Sequence, residues 1–339
     1  MPSILSAFLS ACALLMTTAS ARAVPASDTI SPRGVYPFDQ VVAFGDELSD
    51  NGNGSFKHGI AGDPANVYGF GTWTNGPTAV QYLAGLLKVP LTDYAFGGCC
   101  GGESFGATID NAYTAAAAKW NGKPVPSVAD QIRKDYTNPA PASIKRSLQF
   151  IWTGQNDLSL HTDAFWEGDP KNAEFANQIA QRIVREAEEL ARKGAPYVFV
   201  ANIYPKHRAP VTTKYLCQDG GCVDTFGKII QSANAAIKAK LSKSKHSGKF
   251  IYYDVFSYMN NLMDNKNKFG LTESLSSICD GDASSPNTKW DKCVKGSYTW
   301  QGAEKFYWMN YIQPTAHVNR LIAGDMKATV DRFFSKGSR

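Results

Sequence analysis

Five short apolar runs, separated by amphipathic stretches, set the pattern of this chain. Gln40–Phe44, Leu91–Phe96, Ser147–Trp152, Pro196–Ala201 and Phe250–Val255 are rich in Val, Ile, Phe and Tyr. Runs of this length predict strands, and the valine-rich run before Gly45 predicts a buried one. Helix-period segments lie between them. Val80, Leu83, Ala84 and Leu87 follow Asn75-Gly76-Pro77, where Pro77 suits a helix start. Asn172–Lys193 carries Phe175, Ile179, Ile183, Ala187 and Leu190 on one face and stops at Gly194. Thr225–Leu241 turns Ile229, Ile230, Ala233 and Ile237 inward. A last amphipathic helix opens at Pro314-Thr315 and runs through Val318, Leu321, Ile322 and Met326. Pro126-Ser127 opens a short helix through Ile132, and residues 260–300 read as loop. Strands alternating with helices predict an α/β fold: a doubly wound, three-layer α/β/α sandwich around about five parallel strands. No repeat or linker divides it, so residues 24–339 are expected to form a single domain.

The first residues change the picture. Ile4–Met16 is an apolar stretch and Ala21-Arg22-Ala23 fits a small-x-small cleavage site, so residues 1–23 are expected to be a secretory signal. The apolar run is too short for a bilayer, which takes roughly 20 residues, and no other stretch is long enough. Of 339 residues, 43% are hydrophobic and 19% charged, which excludes a disordered chain. A net charge of +5 does not suggest nucleic acid. Six cysteines remain after the signal, an even number that suits a secreted, disulfide-bonded protein. Cys217 and Cys222 bracket the turn Gln218-Asp219-Gly220-Gly221 and are expected to pair. Cys279 and Cys293 bracket a polar loop and are the next pair; Cys99 and Cys100 stay unassigned. Asn53-Gly54-Ser55 is a glycosylation sequon.

The chemistry gathers at three strand exits. These read Gly45-Asp46-Glu47, Gly97-Gly98 and Gly154-Gln155-Asn156-Asp157. In a parallel sheet the carboxyl ends of the strands share one edge, where ligands bind. Glycines there let backbone N–H groups approach a bound oxygen, and an asparagine adds a donor. That is the make-up of an oxyanion hole.

On these motifs the chain resembles the GDSL (SGNH) hydrolases. Val41–Asn53 is similar to their first block, Asp93–Gly98 to the second and Gly154–Asp157 to the third. Gly71–Pro77 with Val80–Leu83 looks like fungal-type members, including carbohydrate esterase family 16. The resemblance spans roughly residues 38–334. It implies the flavodoxin-like SGNH fold, no cofactor and no metal, and an oxyanion pair at Gly98 and Asn156, with Gly97 as the other choice for the glycine. The catalytic serine, aspartate and histidine of the family fall on Glu47, Asn310 and Gln313. A triad works because an imidazole, oriented by a carboxylate, deprotonates a hydroxyl. Glu47 has no hydroxyl, Gln313 takes no proton near neutral pH, and Asn310 has no imidazolium to stabilise. An ionised Glu47 about 4 Å from a developing oxyanion would oppose it by ~4 kcal/mol at an effective dielectric near 20.

Other residues could supply chemistry. Ser49 has no base near it in sequence, and the family carries serine there as well. His317 lies one helical turn after Gln313 and reads as a helix-face residue. His207 follows the fourth strand and reads as exposed. Glu47 paired with Asp46 or Asp50 would suit a carboxylate mechanism, although Asp46 reads as a turn-former and Glu47 as an acid in a first helical turn. Lys238, Lys240, Lys243, Lys245 and Lys249 gather at a helix end and read as a solvated face. The expectation is therefore a secreted, monomeric SGNH-fold pseudoenzyme that binds a carbohydrate or acyl ester. The alternatives are a hydrolase with residual or altered activity, and an interaction protein without a small ligand.

Overall fold

The computed structural model describes residues 36–53, 68–97, 106–111, 119–120, 123–136, 141–160, 171–217, 220–279 and 300–336. The expected signal, Gly98, Cys99, Cys100 and Cys293 lie outside the described residues.

Five parallel strands form the sheet: β1 (Gln40–Gly45), β2 (Leu91–Asp93), β3 (Ser147–Trp152), β4 (Tyr197–Ala201) and β5 (Phe250–Tyr253), in the order β2-β1-β3-β4-β5. Register runs Val41↔Leu91, Gln40↔Ser147, Leu148↔Tyr197 and Val198↔Phe250. Side chains alternate across a strand, and here both faces are covered. Val41, Ala43, Leu148, Phe150, Phe199 and Ile251 pack under α1 (Ala79–Leu87), α5 (Val255–Asp264) and α6 (Ala316–Lys336). Val42, Phe44, Ile151, Val198, Val200 and Phe250 pack under α3 (Lys171–Arg192) and α4 (Val223–Lys243). The result is the expected three-layer α/β/α sandwich. A short helix, α2 (Gln155–Leu160), leaves β3 through Gly154, whose φ of +108° favours glycine.

Two boundaries differ from expectation. β2 ends at Asp93 because the Asp93 carboxylate accepts from Ala95 N–H at 2.9 Å and turns the chain. Beyond it, Tyr94 N–H and Phe96 N–H still donate to Ala43 and Gly45 carbonyls, at 2.9 and 3.1 Å. The first part of the region read as loop is helical. Asp254 caps α5 by accepting from Ser257 N–H at 3.1 Å, and Val255, Met259, Leu262 and Met263 are buried. Cys217 and Cys222 form a disulfide. Cys279 is disulfide-bonded.

One acid ties the opening block to the second strand exit. Asp50 is buried. Its Oδ1 accepts from Gly52 N–H (2.8 Å) and Asn53 N–H (2.7 Å), and its Oδ2 from Gly97 N–H (2.7 Å) and Trp73 Nε1–H (3.2 Å). Asn53 Nδ2 completes the seam by donating to the Asp93 and Ala95 carbonyls at 2.6 and 3.1 Å. Replacing Asp50 with Ala would leave these donors without their shared acceptor. The Asp50→Ala variant is expected to lose about 3 kcal/mol or more of unfolding free energy in urea titration, given 1–3 kcal/mol per stranded buried group.

Candidate active site

Immediately after β1 the chain makes a hydrogen-bonded turn. The Asp46 carboxylate accepts from Leu48 N–H at 3.0 Å, and the Asp46 carbonyl accepts from Ser49 and Asp50 N–H, both at 3.0 Å. Asp46 is thus the turn-former expected. Glu47 stands in this turn and in no helix, so the helix-dipole account of it does not apply.

Glu47 is buried, only 5% exposed. Its Oε1 accepts from Gln155 Nε2–H at 2.5 Å and its Oε2 from Asn156 Nδ2–H at 2.8 Å. The second hydrogen of Asn156 Nδ2 goes to the Ala107 carbonyl at 3.2 Å. Both amide hydrogens of Asn156 are therefore committed. Both Glu47 oxygens accept from side-chain amides. Burial raises its proton affinity, while Lys206 and the two amides oppose that rise. Gly106 closes the site from above: a Cβ there would fall 1.8 Å from Glu47 Oε2 and 3.0 Å from Asn156 Nδ2.

Lys206 and Gln155 were not singled out in the sequence. Lys206 is fully buried in the loop after β4, and its Nζ donates to the Gln155 carbonyl at 3.0 Å and to Gln155 Oε1 at 3.2 Å. Burial brings its ammonium down to about 8, against the pull of Glu47, Asp46 and Asp157. Asp46 is pushed well above the usual carboxylate range, first by burial and then by Glu47. Asp157 opens α2 and accepts from Ile109 N–H through both oxygens, at 3.1 and 3.3 Å; burial raises it to about 7. The only signal for Lys206 was its place after a strand exit.

Asn310 and Gln313 share one turn. Asn310 Oδ1 accepts from Ile312 and Gln313 N–H at 2.9 and 2.7 Å, and its Nδ2 donates to Tyr68 Oη at 3.0 Å. Gln313 is buried, with its Nε2 unpartnered among the described residues. Tyr311, between them, is pushed up by burial and then by the Glu47 charge. Gly97 N–H is committed to Asp50, and a Cβ there would fall 1.9 Å from Trp73 Nε1.

Ser49 shares the Glu47 turn and is buried, with its hydroxyl unpartnered among the described residues; the histidine candidates lie elsewhere. His317 bonds the Phe269 carbonyl and Arg320, both at 2.9 Å, as a helix-face residue would. His207 corrects an expectation: it is partly buried, stacked on Phe256 at 5.7 Å and packed against Gly227, and burial brings it down to about 4. Two cavities are defined by other residues. One, of about 900 Å³, lies along β5 and α6, and one of about 400 Å³ beside His207; neither is lined by Glu47 or Asn156.

A family model described as GDSL-like lipase/acylhydrolase matches residues 41–293. The chain belongs to this family. It is similar to a GDSL esterase/lipase of Arabidopsis thaliana, 25% identical over 163 residues, which cover 48% of this chain and 44% of that protein. It is also similar to the thermolabile hemolysin of Vibrio parahaemolyticus, 25% identical over 292 residues, or 85% of this chain and 63% of the hemolysin. The chain thus spans less than two thirds of either relative. Acetylajmalan esterase 2 of Rauvolfia serpentina is 24% identical over 288 residues, 72% of this chain and 77% of the esterase. Among the described residues of this GDSL-family chain, no helix is long and apolar enough to cross a membrane.

Two measurements follow from the geometry. Gly106→Ala is expected to destabilise the protein by roughly 1–3 kcal/mol through contact with the carboxylate, and to cost clearly less in a Glu47→Ser background. Urea unfolding of the four proteins checks the difference. The second concerns pH. Asp157 holds its proton more tightly folded than unfolded, so its contribution favours folding fully below about pH 4 and is lost as pH rises through about 7. Lys206 has the opposite shift: its contribution is present above about 10.5, lost as pH falls through about 8, and flat below that. Unfolding free energy between pH 5 and 7.5 should therefore carry a downward component, and Asp157→Asn should flatten it.

Proposed function

We propose that this GDSL-family chain is a secreted, single-domain, monomeric pseudoenzyme of the carbohydrate esterase 16 type. In this reading Glu47, Asn310 and Gln313 occupy the serine, aspartate and histidine positions, and Gly98 and Asn156 the oxyanion positions. Its ligand is a carbohydrate or an acyl ester. The observation that carries the reading is the Asn156 side chain. Both of its amide hydrogens are taken, one by Glu47 Oε2 at 2.8 Å and one by the Ala107 carbonyl. An ester carbonyl would have to displace a buried carboxylate to reach that donor. Among the described residues no imidazole bonds Glu47: His207 stacks on Phe256 and His317 bonds the Phe269 carbonyl.

Loss of triad members alone leaves about 10³–10⁴-fold of catalysis in enzymes whose oxyanion hole stays open. With the donor occupied, that remainder is forfeited too. The purified protein is expected to give no turnover of p-nitrophenyl acetate or butyrate and no labelling by a fluorophosphonate probe. The combined variant Glu47→Ser, Asn310→Asp, Gln313→His is expected to gain both. Wild-type turnover that disappears on substitution of Glu47 would show a carboxylate-dependent hydrolase instead. Serine labelling of the wild type would indicate a relocated nucleophile.

A further inference from the structure

Lys206 presents a problem of charge. A fully dehydrated ammonium needs a counter-charge, yet both of its hydrogen bonds go to neutral oxygens of Gln155, at 3.0 and 3.2 Å. The acids that act on it are Glu47 first, then Asp46 and Asp157. Asp46 is pushed toward its neutral form first by burial and then by Glu47, with Leu48 N–H, Lys206 and a Gln155 hydrogen bond opposing. Asp157 is occupied by Ile109 N–H. Glu47 is the acid whose two oxygens both accept from side-chain amides.

Gln155 connects the two charges. Its Oε1 accepts from Lys206, which fixes the amide so that Nε2 faces Glu47. Turned over, the amide would aim an oxygen at the carboxylate and a donor at the ammonium. Lys206 therefore sets the direction of the donor that holds one oxygen of Glu47, while Asn156 holds the other. The absence of a side chain at Gly106 leaves room for the carboxylate: a Cβ there would fall 1.8 Å from Glu47 Oε2.

Resting on the reading that Asn156 is the former oxyanion donor, we propose that Glu47, Gln155 and Lys206 are one coupled unit. It is an anion receptor, built where a reaction oxyanion would form and filled by the chain's own carboxylate, with Lys206 as its positioning cation. Glutamate at position 47 and lysine at position 206 then depend on each other. With the Glu47 side chain removed, the receptor is left with donors from Gln155 and Asn156 and a buried cation behind them. The ligand class that fits it is a small monocarboxylate, such as formate.

A double-mutant cycle with chemical rescue tests this. Glu47→Ala and Lys206→Met are each expected to raise the unfolding equilibrium constant at pH 7 by about ten-fold or more. E47A/K206M is expected to lie about ten-fold below the product of the two, a coupling typical of residues in one network. Sodium formate, titrated against sodium chloride at equal ionic strength, should stabilise E47A saturably, as a ligand of the folded state does. It should do nothing beyond chloride for the wild type or for E47A/K206M, and neutral formamide should not replace it. If E47A does not accumulate, the cycle is run with Glu47→Gln, which keeps the volume and reads the same coupling. An additive cycle overturns the proposal, and so does formate stabilisation that survives unchanged in E47A/K206M. Ester turnover by the wild type would end the pseudoenzyme reading without touching the cycle, and an additive cycle leaves the esterase assays as they stand.

Discussion

A carboxylate taken out of water has to be met by donors, and that requirement organises the edge of the sheet where β1, β2 and β3 end. Asp46, Glu47, Asp50 and Asp157 are all buried there. Each has a different solution. Asp46 accepts from the turn it closes, and Asp50 gathers donors from its own loop, from Trp73 and from Gly97. Asp157 takes a backbone N–H from Ile109, and Glu47 takes two side-chain amides. None of these acids pairs directly with the buried lysine through a hydrogen bond described here; its charge reaches Glu47 through Gln155. The sheet supplies the convergence, since parallel strands bring their exits to one side. The donors determine what each exit can hold.

This arrangement separates two properties that usually travel together. A hole that stabilises a transient negative oxygen must offer unsatisfied donors before the reaction begins. Such donors are costly when buried, so a site of this kind carries a stability penalty. Placing a permanent carboxylate against Asn156 removes that penalty for the amide and imposes a different one, the burial of a charge. Lys206 offsets the second. On the proposed pseudoenzyme reading, the region gains internal satisfaction and forfeits the vacancy that catalysis requires, a trade in the direction expected when function at a strained site is relaxed.

Most of the fold was legible in the sequence, for a plain reason. The strands β1, β3, β4 and β5 are mostly buried, so their runs are mostly apolar, while the edge strand β2 is partly exposed; the long helices α3, α4 and α6 bury one stripe each. Short elements were less legible. Asp254 ends a strand and caps a helix at once, and reading it as the strand's last residues hid α5. The Asp93 side chain cut β2 short by bonding its own backbone. At the site, Glu47 and Asn156 were visible because they stand in ordered motifs. Lys206 was not, because a lone lysine in a loop is ordinarily a solvated residue, and only the packing of β4's exit against α2 makes it an interior one. His207 failed in the same way: its exposure depended on Phe256 and Gly227, which lie far off in the chain.

The seam beside Asp50 bears on the life of the chain before it is folded. The nitrogen of Asn53 that a sugar would be joined to is the one that spans the Asp93 and Ala95 carbonyls. Attachment replaces one of its two hydrogens, so a glycosylated chain keeps at most one of those bonds. In a chain glycosylated at Asn53, modification and the closure of β2 onto the opening block would compete for a single atom. Whichever came first would set the terms for the other.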